Sequence, residues 1–240
     1  MRVVKHFVDL NKIILGYSCA KVIKYFVKNE IYLISERENE AEDNGYHLYK
    51  YIRENYPKEK AYYLVNKNSK GYKRVKELGN IIDYDSLKHY IYYFLSKKHI
   101  SAFQFFGVPN SALIWFLESK GFFKKQRIFL QHGITKENIS ALKYENKKYD
   151  LFICGGKPEH NYIKEYFGYP EQSVIYTGFS RYDELHNRKK NKKQILLMPT
   201  WRQWLGMTNM GNDKNQDYKN LIKSDYYKSY MSFINSNELN

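Results

Sequence analysis

A chain of 240 residues with 43% hydrophobic content can bury a substantial core, which excludes wholesale disorder and allows one large domain or one domain plus part of another. No run of about 18 uncharged apolar residues occurs, and Lys5, Asp9, Lys12 and Lys21 interrupt the N-terminus, so neither a transmembrane helix nor a secretory signal is expected. The formal charge of +15 is spread along the chain apart from Arg188–Lys193, and Lys, Asn, Ile, Tyr and Phe are over-used together, as AT-rich coding would produce; no nucleic-acid partner is expected, and an anionic surface or substrate is the better use of the charge.

Residues 1–28 read as a basic amphipathic helix, with Val3, Val4, Phe7, Leu10 and Ile14 near 3.6 spacing and lysines on the remaining faces. Such a helix can lie in a membrane interface or simply pack on the following domain. From Ile31 short β-rich runs alternate with helical stretches. Strands are predicted at 31–35, 61–66, 81–84, 100–106, 127–131, 150–154 and 174–177. Helices are predicted at 41–55, 71–78 (ending at Gly79), 85–98 (with Asp85 and Ser86 as cap candidates), 111–120 and 158–167. This alternation implies a mainly parallel, doubly wound, Rossmann-like α/β sheet whose ligands gather outside the carboxyl ends of the strands. The polar run 187–194 looks like a linker, and Ile195–Met198 like the first strand of a second domain. The expected organisation is therefore a helix at 1–30, a Rossmann-like domain at 31–190, and a linker with the start of another domain at 191–240.

Cys19 and Cys154 stand far apart and form no CxxC pair, so a disulfide framework is not indicated and a reducing compartment fits best. No spacing suggests a zinc or magnesium site, and no metal or other cofactor is expected. His47, His89 and His160 fall within helix patterns and read as surface or packing residues.

Three clusters fall at strand ends. In the first, Leu130-Gln131-His132-Gly133-Ile134-Thr135, an imidazole stands at the lip of the sheet, and its ordinary pKa near 6.5 suits a general base for an alcohol. A strand-end histidine is also commonly structural. The second is Thr177–Asp183, where Arg181 could grip a phosphate in bidentate fashion or merely pair with Asp183 to tie down the linker. The third is Met198-Pro199-Thr200-Trp201-Arg202. No Walker loop or GxGxxG turn is present.

Taken together, the three clusters resemble the CDP-glycerol glycerophosphotransferase family, which carries His-Gly after a strand, then Thr-Gly-x-x-Arg-x-Asp, then Pro-Thr-Trp-Arg. The corresponding residues are Gln131-His132-Gly133, Thr177–Asp183 and Pro199–Arg202. Ile34–Arg37 with Asp43–His47 also resembles the family's opening βα unit, so the similarity spans roughly residues 31–204. Gln131 departs from the family's usual Trp.

The resemblance implies a GT-B architecture and transfer of a polyol phosphate from a CDP ester, such as CDP-glycerol, to a polymer or lipid-linked hydroxyl in teichoic acid or capsule synthesis. It places the enzyme peripherally at the cytoplasmic face of the membrane. His132 would be the general base. Arg181 and Arg202 would neutralise phosphate charge, and Asp183 would orient Arg181. Gly133, Gly178, Thr200 and Asn44 would help bind substrate. The family's further His-Gly segment and Ser/Thr-rich loop do not follow Arg202, so the chain reads as truncated in its second domain and inactive alone. A nucleotide-sugar glycosyltransferase and a non-catalytic membrane module are the competing readings.

Overall fold

The computed structural model describes residues 2–27, 29–185, 196–198 and 214–237. It begins with α1 (Arg2–Phe26), followed by β1 (Ile31–Ser35), α2 (Asn44–Asn55), β2 (Lys60–Val65), α3 (Lys70–Val75) and β3 (Ile81–Asp83). Next come α4 (Leu87–Leu95), β4 (Lys98–Ser101), α5 (Ala112–Ser119), β5 (Gln126–Phe129) and the single turn α6 (Tyr144–Lys147). The domain closes with β6 (Leu151–Cys154), α7 (Lys157–Tyr166), β7 (Val174–Tyr176) and a 3-10 segment at Ser180–Leu185.

The seven strands pair in parallel in the order β3-β2-β1-β4-β5-β6-β7. The chain winds outward from β1 to β3, then returns to the other side of β1 with β4, so the order reverses between β1 and β4. That reversal defines the crevice in which doubly wound folds place ligands. Both faces of the central strands are covered, which is why these strands read as continuous apolar runs. Ile34, Tyr63 and Val65 pack on one face with Tyr49 of α2, whereas Leu33, Leu64 and Ile82 pack on the other beside Tyr92 of α4. A third cluster under β5–β7 joins Phe129, Phe152 and Val174 to Ile163 of α7.

Local chemistry sets the helix starts: Ser69 and Ser86 cap α3 and α4 by accepting from the Tyr72 and His89 backbone N–H groups. Helix α1 packs on α4. The two helices come close at Gly16, where an added Cβ would lie 2.8 Å from Cβ of Tyr90. The opposite side of α1 leaves Phe7, Ile14, Val22 and Phe26 exposed.

Three expectations change. The predicted strand 100–106 ends at Ser101, and Ala102–Phe106 is a loop with Phe106 at φ 47°. The predicted helix 85–98 stops at Leu95, because Lys98 already pairs with β1 and β5. Leu196–Met198 has no strand structure, and Ile195 lies outside the described residues.

Residues 189–240 form a second compact unit. Within it, α8 (Lys214–Lys223) packs against α9 (Asp225–Ile234), and Ser224 caps α9 by accepting from the Tyr227 N–H.

Candidate functional site

Past β5 the backbone turns sharply because Gln131 adopts φ 59°, a left-handed conformation that a non-glycine residue holds only when its surroundings impose it. Here the side chain supplies the restraint. Gln131 Nε2 donates to the Ile153 carbonyl at 2.8 Å and to Glu159 at 3.0 Å, while its Oε1 accepts from Thr135 Oγ1 at 2.8 Å. Glu159, only 3% exposed, also accepts from the backbone N–H of Thr135 at 2.5 Å and of Gly155 at 2.7 Å. Both oxygens of the buried carboxylate are thus bonded, and they fix both ends of the turn that carries His132.

His132 stands exposed at the top of this turn. Its ring stacks on Phe103 at 4.6 Å with an interplanar angle of 13°, and the Arg37 guanidinium lies 4.4 Å over the other ring's centroid, so the loops after β1, β4 and β5 share one stack. The Nδ1 atom lies 3.4 Å from the Ala102 carbonyl. A carbonyl can only accept, so this contact favours the proton on Nδ1 and leaves the Nε2 lone pair available. Beside His132 lies a cleft of about 320 Å³, walled by Gln104, Ile134, Thr135, Lys136 and Leu142. An added Cβ at Gly133 would meet nothing within 4 Å, so the turn has open space beside that residue.

A second group comes from the β1–α2 corner. Glu36, 3% exposed, accepts from the backbone N–H groups of Glu42, Asp43 and Tyr46 at 2.9, 3.0 and 2.7 Å. Burial raises its pKa, opposed by those three donors. The loop so held presents Asp43, which caps α2, and Asn44, whose Nδ2 donates to the carbonyls of Leu130 and Gln131 at 3.3 and 2.7 Å. The segment after β7 closes over this corner. Gly178 takes φ 79°, Ser180 Oγ donates to the Asn44 carbonyl at 2.7 Å, and the Arg181 backbone N–H donates to Asn44 Oδ1 at 3.3 Å. The Arg181 guanidinium donates to Asp43 and, at 2.9 Å, to the His132 carbonyl.

His132, Gly133, Asn44, Gly178 and Arg181 are therefore brought to one corner at the carboxyl ends of the strands. Asp183 is not part of it in the way expected: Arg181 pairs with Asp43, and Asp183 is exposed. Asp43 sits at the N-cap of a helix packed under the arginine, whereas Asp183 lies on the same short 3-10 segment as Arg181. Thr200 and Arg202 lie outside the described residues. Sequence reasoning missed Glu36, Phe103 and Glu159. A carboxylate directly after a buried strand was a signal for Glu36; nothing local pointed to Glu159. The buried histidines are structural: His89 bonds the Gly107 carbonyl at 2.7 Å, and burial lowers its pKa to about 4.

Comparison with known proteins adds to this geometry. Residues 17–233 match the family described as CDP-Glycerol:Poly(glycerophosphate) glycerophosphotransferase. The Minor teichoic acid biosynthesis protein GgaB of Bacillus subtilis (strain 168) is 31% identical over 233 residues, which are 96% of this chain and 26% of that protein. Among solved structures, a histidine-to-asparagine variant of the wall teichoic acid polymerase TagF soaked with CDPG is similar, with a TM-score of 0.53 at 16% identity, covering 92% of this chain and 60% of that one. A histidine-to-alanine variant of TagF gives 0.51 at 17% identity, covering 78% and 47%. The chain thus spans about a quarter of the length of the curated relative.

Proposed function

The chain belongs to the CDP-glycerol:poly(glycerophosphate) glycerophosphotransferase family, and on that premise we propose that its described domain is the acceptor side of a polyol-phosphate transferase. The donor is CDP-glycerol or a related CDP-polyol, and the acceptor is a hydroxyl of a polyol-phosphate polymer or lipid-linked primer, as in teichoic acid synthesis. His132 Nε2 takes the proton from the acceptor hydroxyl. That oxygen forms a bond to the β-phosphorus of the donor, the bond from this phosphorus to the bridging oxygen breaks, and CMP leaves with the electron pair. Displacements of this kind depend on alignment and on neutralising spread-out phosphate charge. Arg181, held beside the His132 loop, is assigned to that charge, with Arg202 as a further contact. Gly133, Gly178, Thr200 and Asn44 are assigned to the substrate-binding surroundings.

The single observation that carries the reading is the open imidazole of His132, fixed by the Phe103 stack with Nδ1 turned to a carbonyl. In the full natural polypeptide, His132→Ala is expected to lower CMP release from CDP-glycerol by about 10²- to 10⁴-fold, the usual worth of a general base. A variant that keeps the full rate removes His132 from this role.

The same reading puts the protein peripherally on the cytoplasmic face of the membrane. No helix among the described residues is long and apolar enough to cross a bilayer. The exposed Phe7, Ile14, Val22 and Phe26 of α1, with the exposed Lys21 and Lys24 beside them, suit a helix lying in an anionic interface.

A further inference from the structure

A second cleft, of about 340 Å³, opens at the point where the strand order reverses between β1 and β4. Its walls come from the loops after these two strands, with Tyr84 from the end of β3 and Trp115 from α5. This is the position where a doubly wound sheet offers its ligand crevice, and the volume is at the lower end of the roughly 300–1,000 Å³ of small-molecule sites. Two exposed aromatic rings dominate it. Phe105 is 62% exposed and Trp115 40%, and they meet edge to face at 6.0 Å and 88°. Large rings left in water beside a cleft are informative, since single exposed aromatics on a flat surface are not.

The polar lining narrows the choice of ligand. Glu38 and Asn110 are exposed at this cleft, and Arg37 is drawn away by its ion pair with Glu40 at 3.2 Å and its stacking on Phe103. Glu36 lies on the same wall. With the Glu38 carboxylate exposed and the Arg37 guanidinium paired to Glu40 and stacked on Phe103, a phosphate is disfavoured there. Flat apolar faces beside carboxylate and amide groups suit a neutral ring with hydroxyls around its edge. The cleft also neighbours the His132 corner through shared wall residues. Gln104 lines both the His132 cleft and an intermediate one of about 180 Å³, and Phe105 and Trp115 line both that intermediate cleft and this one.

We propose that the Phe105–Trp115 cleft binds a neutral pyranose ring of the acceptor, stacked on Trp115, while the reacting hydroxyl lies farther along the trough at His132. The assignment of the ring to the acceptor rests on the transfer reading above, but its binding requires no donor and no turnover. The test is therefore saturation-transfer NMR on the 240-residue protein with methyl β-D-glucopyranoside and N-acetyl-D-glucosamine, and with glycerol 3-phosphate as competitor. At least one pyranoside should receive saturation at its ring protons. Affinity should fall about tenfold in Trp115→Ala, return in Trp115→Phe, and be insensitive to glycerol 3-phosphate. Phe105→Ala, at a still more exposed position, should weaken binding in the same direction, so a folding defect in one variant does not decide the matter. No saturation for either sugar, binding undiminished in both alanine variants, or displacement by glycerol 3-phosphate overturns the proposal. Pyranoside binding by this chain, with no CMP release from CDP-glycerol by the full natural polypeptide, supports the cleft and removes the transferase reading. CMP release without pyranoside binding does the reverse.

Discussion

Glu36 and Glu159 are both buried carboxylates, and each gathers three N–H donors beneath a loop of the candidate site. Their reach differs. Glu36 holds residues six to ten positions further along its own chain, shaping the corner that presents Asp43 and Asn44. Glu159 acts on Thr135 and Gln131, 24 and 28 positions away, and so ties the His132 turn to the start of α7. The first is a local knot and the second a strut between elements. The strut restrains a backbone held at positive φ, so its loss should be felt more widely.

The largest effect is expected from Glu159→Ala, which strands three donors. At about 1–3 kcal/mol for each buried unsatisfied group, the loss should be on the order of 4 kcal/mol in denaturant unfolding. Glu36→Ala should cost less, because burial already disfavours its charged form, as the raised pKa records. Equal losses in the two variants would erase the distinction between knot and strut.

Proton uptake probes the α4–β4 region next. Burial lowers the pKa of His89 to about 4 and that of His99 in the same direction, whereas both titrate near 6.5 once unfolded. As pH falls, the unfolded state takes up protons first, so stability present at neutral pH is lost between about pH 6.5 and 4. His89 alone should contribute about 2 kcal/mol of loss between about pH 7 and pH 5. Thermal melts across that range check it, and a flat profile would contradict the burial of these rings in the α4–β4 region.

The smallest stability effect is expected from Asp43→Ala. Its ion pair with Arg181 is partly exposed, with side-chain exposures of 18% and 28%, and its cap on α2 is lost as well, so unfolding should change by about 1–2 kcal/mol. Transfer should nevertheless slow, because the guanidinium is freed from its seat beside the His132 loop. Asp183→Ala should leave the rate unchanged. A slow Asp183→Ala with a fast Asp43→Ala would return the orienting role to Asp183.

This contrast also explains what could be read from the chain. The alternation of strands and helices, the Ser86 cap and the strand-end position of His132 depend on neighbours within a few residues, and all were legible. The apolar run Phe103–Phe106 was read as the continuation of a strand. Its rings are apolar for another reason: Phe103 stacks on His132, Phe105 lines a cleft, and Phe106 joins the core cluster under β5–β7. Periodicity cannot separate a buried strand from a loop whose aromatics serve a site. The Arg181 partner was misplaced for the same reason, since Asp183 is near in sequence and Asp43 is near only in space. Gln131, visible as a departure from the family's tryptophan, gained its explanation only when Ile153, Thr135 and Glu159 surrounded it.

The clasp of Ser180 and Arg181 on Asp43 and Asn44 spans 136 to 138 residues of chain. During synthesis on the ribosome, the β1–α2 corner must therefore exist for most of the domain's translation without its closing arginine. The strands and core can gather as they emerge, but the charged grip beside His132 cannot form until residues near 181 have left the exit tunnel. Assembly of the candidate site is thus timed to the end of the domain's production, and its formation marks that domain as complete.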